Sequence, residues 1–160
     1  MKFMVFSGLY YRFAIEKKFL DRIIETAKAA VPNETAGIMA GMHMVGGTYA
    51  IVTGMRSYVE TASRCHSTLD LEKMSLWLDA VWKTSGGKEF YLGDWHTHPG
   101  GEPVPSEEDD NTFNNVIKAG ECDEVISLII GREFVLKDIE VYVYRADNER
   151  IHLDDVSYVD

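Results

Sequence analysis

Three potential metal ligands lie close together near the middle of the sequence. His96 and His98 are separated by one threonine, and Asp109 follows eleven residues after the second histidine. Two imidazoles and one carboxylate leave a tetrahedral zinc ion one protein ligand short, and in catalytic sites that position holds water. A structural zinc site is usually closed by four protein ligands. The set therefore favours a hydrolytic metal site over a structural one.

The two histidines stand at the end of a predicted strand, 89–95. Alternate residues of a strand point to the same face, so His96 and His98 can reach one ion while Thr97 points away. Pro99 cannot donate to a β-ladder, and we expect the strand to end there. Two surface histidines before a turn remain the alternative for so short a motif.

Asp109 belongs to the first turn of a predicted helix, 106–119. Ser106 is a candidate N-cap of this helix, and Asp109 lies three residues later on the same side. A Ser-x-x-Asp capping arrangement without any metal is the plain alternative. Asp110 lies in the same turn, so the residues by themselves leave it open as a competing ligand.

Glu34 is the best candidate for the acid–base group that a hydrolytic site needs. Such a group accepts a proton from the attacking water and delivers one to the leaving amine. Glu34 directly precedes 35–41, a predicted strand with small residues that permit close approach. From sequence position alone, a loop glutamate after a helix is the simpler interpretation.

Composition restricts the partners and the compartment. The chain has 160 residues, so we expect one domain spanning 1–160. A formal net charge of -10 argues against nucleic acid or an anionic membrane as the main partner. Two cysteines, Cys65 and Cys122, are too few for a disulfide scaffold and predict a cytoplasmic location. The oligomeric state cannot be read from these residues.

Hydrophobic periodicity predicts an alternation of helices and strands. Helices are expected over 15–30, 69–84 and 106–119. Strands are expected over 36–45, 48–55, 89–95, 125–130 and 134–144, with one or two in 2–14. The polar stretch 56–68 is predicted to be irregular, and the acidic tail 146–160 to hold at most one short strand. This mixed order indicates an α/β or α+β sandwich, with helices packed on a curved sheet.

Glu34-x-x-Gly37, His96-Thr97-His98-Pro99 and Ser106-x-x-Asp109 together resemble the JAMM (MPN-plus, or JAB) metalloprotease family. That family's aspartate lies eleven residues after the second histidine, which selects Asp109 over Asp110. The resemblance covers roughly 1–145. It implies the JAB/MPN fold, a cytidine-deaminase-like sandwich in which about three helices flank a curved mixed β-sheet.

The resemblance also implies a mechanism. His96, His98 and Asp109 would hold Zn²⁺, Glu34 would exchange protons with the water and the leaving amine, and Ser106 would donate a hydrogen bond to the oxyanion. The family cleaves isopeptide or peptide bonds after the flexible C-terminal tail of ubiquitin or a ubiquitin-like protein. The expected partner is therefore a protein substrate with such a tail.

Within the family, the stretch 91–99 is most similar to the prokaryotic JAB group. In that group it resembles isopeptidases of antiphage operons, which reverse conjugation of a cGAS-like nucleotidyltransferase to its targets. A peptidase for ThiS- or MoaD-like sulfur-carrier proteins is the alternative. A non-catalytic MPN scaffold is a rival of another class. A zinc nucleoside deaminase is excluded because it needs His-x-Glu and Pro-Cys-x-x-Cys, which this sequence lacks.

Overall fold

The computed structural model describes residues 1–44, 46–65 and 67–160. Within these ranges the chain forms eleven strands, three α-helices and one short 3₁₀ helix, Leu136–Asp138. The helices are α1 (Lys17–Ala30), α2 (Leu71–Thr84) and α3 (Glu107–Lys118). The strands are β1 (Phe3–Gly8), β2 (Tyr11–Glu16), β3 (Ala36–His43), β4 (Tyr49–Arg56), β5 (Val59–Ala62), β6 (Ser67–Leu69), β7 (Phe90–Pro99), β8 (Glu124–Arg132), β9 (Ile139–Arg145), β10 (Glu149–His152) and β11 (Asp155–Val159).

Nine of the described strands form one mixed, strongly curved sheet in the order β10-β9-β8-β7-β3-β4-β2-β1-β11. Two neighbouring pairs, β2 with β4 and β7 with β8, run parallel, and the remaining pairs are antiparallel. Tyr11 on β2 donates a hydrogen bond to Glu124 on β8, although three strands separate them in the sheet order. The sheet must curl for these residues to meet, which confirms the predicted α+β fold with a curved sheet.

The main hydrophobic core lies on the concave side of the sheet, where α1 packs. This helix buries an apolar stripe at the helical spacing, namely Phe19, Leu20, Ile23 and Ala27. Burying a leucine or isoleucine side chain contributes about 1.5–3 kcal/mol relative to its exposed state. A second cluster packs Phe113 of α3 against Ile129 and Tyr144. The three helices flanking the sheet agree with the predicted number.

Two segments differ from the sequence-based expectation because their pairing is long-range or locally weak. The stretch 56–68, expected to be irregular, holds β5 and most of β6, which pair antiparallel. The tail contains two strands rather than one, since β10 pairs with β9 and β11 pairs with β1. Polar edge strands carry little periodic signal, and a partner more than a hundred residues away leaves no local trace.

Helix α2 and the region before β9 also depart from expectation. The apolar face predicted for α2 buries none of its residues fully, and Leu71 is exposed. The strand expected from residue 134 begins only at Ile139, after a 3₁₀ turn.

None of the helices within the described ranges has both the length and the apolar character of a membrane span. Residue 45, where the first hairpin strand was expected to end, lies outside the described residues.

Close packing of β7 against β8 should make Gly93 intolerant of any side chain. A Cβ atom at Gly93 would lie 1.8 Å from the carbonyl oxygen of Ile126. Gly93→Ala must therefore force β7, the strand that carries both histidines, away from β8. We expect a loss of about 3 kcal/mol or more in the free energy of unfolding. Gly101→Ala is the control, because the nearest atom is 3.6 Å away. Equal urea midpoints for the two variants would contradict this.

Candidate metal centre

Strand β7 and the first turn of α3 bring His96, His98 and Asp109 together. The ligand atoms of the three residues all lie within 4.8 Å of one another. Asp109 Oδ2 is 3.2 Å from Nε2 of His96 and 3.7 Å from Nε2 of His98. Atoms that bind a tetrahedral zinc ion at about 2.0–2.1 Å lie about 3.3 Å apart, a value between these two distances. The donor set and its spacing therefore fit a zinc ion.

The ring of His98 is oriented by the loop that follows β7. Its Nδ1 lies 2.9 Å from the carbonyl oxygen of Glu102, which can only accept, so Nδ1 carries the proton. Nε2 faces Asp109 Oδ2 and is the ring nitrogen left to bind a metal. A backbone carbonyl that fixes the tautomer is a usual companion of a metal-binding histidine.

Asp109 is at once a capping residue and a member of the cluster. Ser106 Oγ accepts from the Asp109 N–H at 3.1 Å, and Asp109 Oδ2 accepts from the Ser106 N–H at 2.9 Å. Burial opposes ionisation of Asp109, but the facing rings of His96 and His98 and the Ser106 N–H hold its pKa well below the ordinary range. The capping geometry predicted from Ser-x-x-Asp is therefore present. It directs the Asp109 carboxylate toward the histidines.

Asp110, the competing candidate ligand, points away from the histidines. Its Oδ1 accepts from the Tyr144 hydroxyl at 2.6 Å and from the Arg150 guanidinium at 2.9 Å. These bonds attach the first turn of α3 to β9 and β10. Asp110 thus anchors the turn that carries Asp109 and does not join the cluster.

Breaking this anchor should loosen the turn that carries Asp109. Asp110→Ala leaves the buried Tyr144 hydroxyl without its acceptor, which costs about 1–3 kcal/mol of stability. We also expect weaker zinc affinity, because α3 loses its attachment to Arg150. Thermal unfolding and zinc titration measure the two effects. Glu107→Ala, which alters an exposed acid of the same turn, is the control, and identical behaviour of the two variants would refute the anchoring role.

Glu34 reaches the same site through the pairing of β3 with β7. Ala36 pairs with His96, and the buried Thr97 side chain accepts from the Thr35 N–H at 2.9 Å. Thr97 lies between the two histidines and points to the opposite face, where it fixes the residue next to Glu34. The pKa of His98 is raised chiefly by the Asp109 carboxylate that faces its ring, and the nearby Glu34 charge adds to the effect.

Ser106 retains a hydroxyl proton that can be donated. A serine hydroxyl has one donor and two acceptor sites, and Ser106 uses an acceptor site for the Asp109 N–H. The residue is exposed at the helix N-terminus and borders the same cleft as the three clustered side chains. The geometry is compatible with the predicted donation to an oxyanion.

All five predicted site residues line one cleft of about 960 Å³. The opposite wall is apolar and includes Leu71, Met74 and Leu78 of α2. This position explains why the apolar face of α2 is not buried in the core. A cleft of this size accommodates a segment of extended polypeptide beside the clustered side chains.

Sequence reasoning missed Asp94, another carboxylate in the cleft. It lies two residues before His96 and so shares its face of β7, and the Tyr91 hydroxyl donates to its Oδ1 at 2.7 Å. Burial raises the pKa of Asp94 to about 6, against the opposing influences of Tyr91 and His96. The regular two-residue spacing of 94, 96 and 98 was the signal that could have revealed it.

Comparison with known proteins supports this assignment of the fold. Residues 16–147 match the family described as prokaryotic homologues of the JAB domain. The chain belongs to the prokaryotic JAB family. Two solved structures share its fold. The solution structure of a Desulfitobacterium hafniense protein has a TM-score of 0.62 and 21% identity, covering 86% of this chain and 87% of that one. A JAB1/MPN domain protein from Archaeoglobus fulgidus has a TM-score of 0.50 and 18% identity, covering 87% and 93%.

Two curated relatives of this prokaryotic JAB protein carry the name CD-NTase/cGAS isopeptidase. The relative from Enterobacter hormaechei is 28% identical over 129 residues, which is 78% of this chain and 70% of that protein. The relative from Vibrio cholerae is 36% identical over 56 residues, covering only 35% of each chain. Both similarities agree with the family resemblance drawn from the sequence motifs.

Proposed function

We propose that this JAB protein is a zinc-dependent isopeptidase that releases a cGAS-like nucleotidyltransferase from proteins conjugated to its C-terminal tail. The observation that carries the proposal is the convergence of His96, His98, Asp109 and Glu34 in one cleft. The names of the two relatives support the substrate class. We place the reaction in the cytoplasm, in the context of antiphage defence.

The chain's own residues supply the metal ligands, the acid–base group and the hydrogen-bond donor that the reaction needs. Zinc held by His96, His98 and Asp109 would supply Lewis-acid activation of the scissile carbonyl and of water. Glu34 removes a proton from the attacking water and returns one to the leaving lysine amine. Ser106 donates its hydroxyl proton to the oxygen on which negative charge develops.

The substrate tail would lie extended in the cleft between α2 and the cluster. An extended segment without bulky side chains can bring its backbone close to the metal, which is the reason for a flexible tail. The apolar wall formed by Leu71, Met74 and Leu78 would contact the tail before the scissile bond.

The proposal is tested with an isopeptide conjugate between a cGAS-like nucleotidyltransferase and a target lysine. We expect the zinc-loaded protein to release both parts, a chelator to stop release, and added zinc to restore it. A second substrate, a sulfur-carrier protein fused through its tail, separates the alternative peptidase role. Cleavage of the fusion alone would overturn the nucleotidyltransferase assignment. Cleavage of neither substrate by zinc-loaded protein would indicate a non-catalytic scaffold.

A further inference from the structure

The loop after β7 is attached to the end of β8 by its backbone. The Gly101 N–H donates to the His98 carbonyl at 3.0 Å, and the Arg132 N–H donates to the Gly101 carbonyl at 2.7 Å. A Cβ atom at Gly131 would lie 2.5 Å from the Gly101 carbonyl oxygen. This close approach requires glycine, and it holds the loop across the strand end beside the metal centre.

The Arg132 side chain joins this loop to a buried acid. Its guanidinium pairs with both carboxylate oxygens of Glu102, and it donates to Asp138 Oδ1 at 3.4 Å. Asp138 is 1% exposed, and its other oxygen accepts the backbone N–H groups of Glu133 and Val135. Asp138 is therefore held in place. Because Arg132 binds both acids, it restricts the movement of the Glu102 carboxylate.

Glu102 connects the arginine to the metal centre through its main chain. Its carbonyl oxygen lies 2.9 Å from Nδ1 of His98, while its carboxylate is held by Arg132. Movement of Glu102 would therefore displace the acceptor that sets the His98 ring orientation. The order of contacts is Asp138, Arg132, Glu102 and His98.

We propose that Arg132 is a positioning residue for His98, acting through Glu102 to hold Nε2 of His98 toward the metal. The proposal rests on the zinc site of the proposed function. An ion pair as exposed as Arg132 with Glu102 adds little to folding stability, so its effect should fall on the geometry of the ring. Glu102→Gln, which leaves Asp138 paired with Arg132, should consequently change metal affinity more than stability.

The test compares Arg132→Met and Glu102→Gln with the wild-type protein, with Arg145→Met as the matched control. Arg145 also forms an ion pair, with Glu124, but at the far end of β8 from His98. We expect both test variants to lose about tenfold in zinc affinity, the lower part of the range for partners of metal ligands. The double variant should lose no more than either single one. Arg132→Lys keeps the positive charge but lacks the planar guanidinium that binds a carboxylate through two hydrogen bonds. It should recover part of the affinity.

A second readout needs no metal. Ring ¹H–¹⁵N NMR of the zinc-free protein shows whether the Nδ1–H of His98 keeps its hydrogen bond to the Glu102 carbonyl, whether or not Nε2 also carries a proton. We expect this Nδ1–H signal to be protected from exchange with water in the wild type and weakened or lost in Arg132→Met.

The outcomes separate this inference from the proposed function. If a folded Arg132→Met or Glu102→Gln keeps both the wild-type affinity and the wild-type ring signals, the positioning role is wrong. If Arg145→Met shows the same loss as the test variants, the effect is general and the role is also wrong. If the wild type binds no zinc, the proposed function fails, while the ring signals still decide whether Arg132 orients His98.

Discussion

Asp109→Asn is expected to reduce zinc affinity by more than about 100-fold, which exceeds the effect of removing an outer-shell partner. The substitution keeps an oxygen that can accept the Ser106 N–H, so the cap of α3 is largely preserved. It removes the negative charge that faces Nε2 of both histidines. Isopeptide cleavage should fall to background at limiting zinc. Competition with a chromophoric chelator measures the affinity, and circular dichroism checks the fold.

The control for Asp109→Asn is Glu107→Gln. Glu107 is an exposed acid in the same helical turn and lines the same cleft, so the two substitutions change the local charge equally. We expect its zinc affinity to stay within about threefold of wild type, since exposed charges interact weakly through water. Asp109→Asn that still binds zinc as tightly as wild type would remove Asp109 from the ligand set and reopen the identity of the third ligand.

Glu34→Gln is expected to lower the rate of cleavage by about 10²–10⁴-fold, the usual contribution of a general acid–base group. Glutamine has nearly the same shape but cannot accept and return a proton. Zinc binding should persist, because the three clustered ligand atoms belong to other residues. Single-turnover kinetics with the zinc-loaded variant, together with metal analysis, measure both quantities.

The matched control for Glu34→Gln is Glu60→Gln, which changes an exposed acid on β5. Its cleavage rate should match that of the wild type. If Glu34→Gln retained the full rate with zinc bound, another group in the cleft would have to move the proton, and Asp94 would be the next to test. Loss of activity with retained zinc is also the result that distinguishes an enzyme from a scaffold that merely binds metal.

Local patterns were sufficient wherever the chemistry depends on neighbouring residues. Strand alternation placed His96 and His98 on one face, and the serine cap placed Asp109 within the first turn of α3. The apolar spacing of α1 predicted its buried stripe. Each of these features depends on the geometry of one element, and such geometry repeats with the period of a helix or a strand.

The tertiary structure decided what depends on several elements at once. It supplied the physical reason that Asp109 and not Asp110 joins the histidines, because Tyr144 and Arg150 bind the Asp110 carboxylate while the histidines face that of Asp109. It brought Glu34, more than sixty residues earlier in the chain, to the end of β7 through the pairing of β3 with β7.

The contacts of Arg132 and the place of α2 beside the cleft likewise emerged only from the fold. The sequence by itself determined the family motif, the candidate ligands and the mixed α+β order. The pairing of β11 with β1, the position of α2 beside the cleft and the contacts of Glu102 were decided by the tertiary structure. The physical reason is that burial and long-range strand pairing are properties of the whole chain, whereas periodicity and capping are properties of a few adjacent residues.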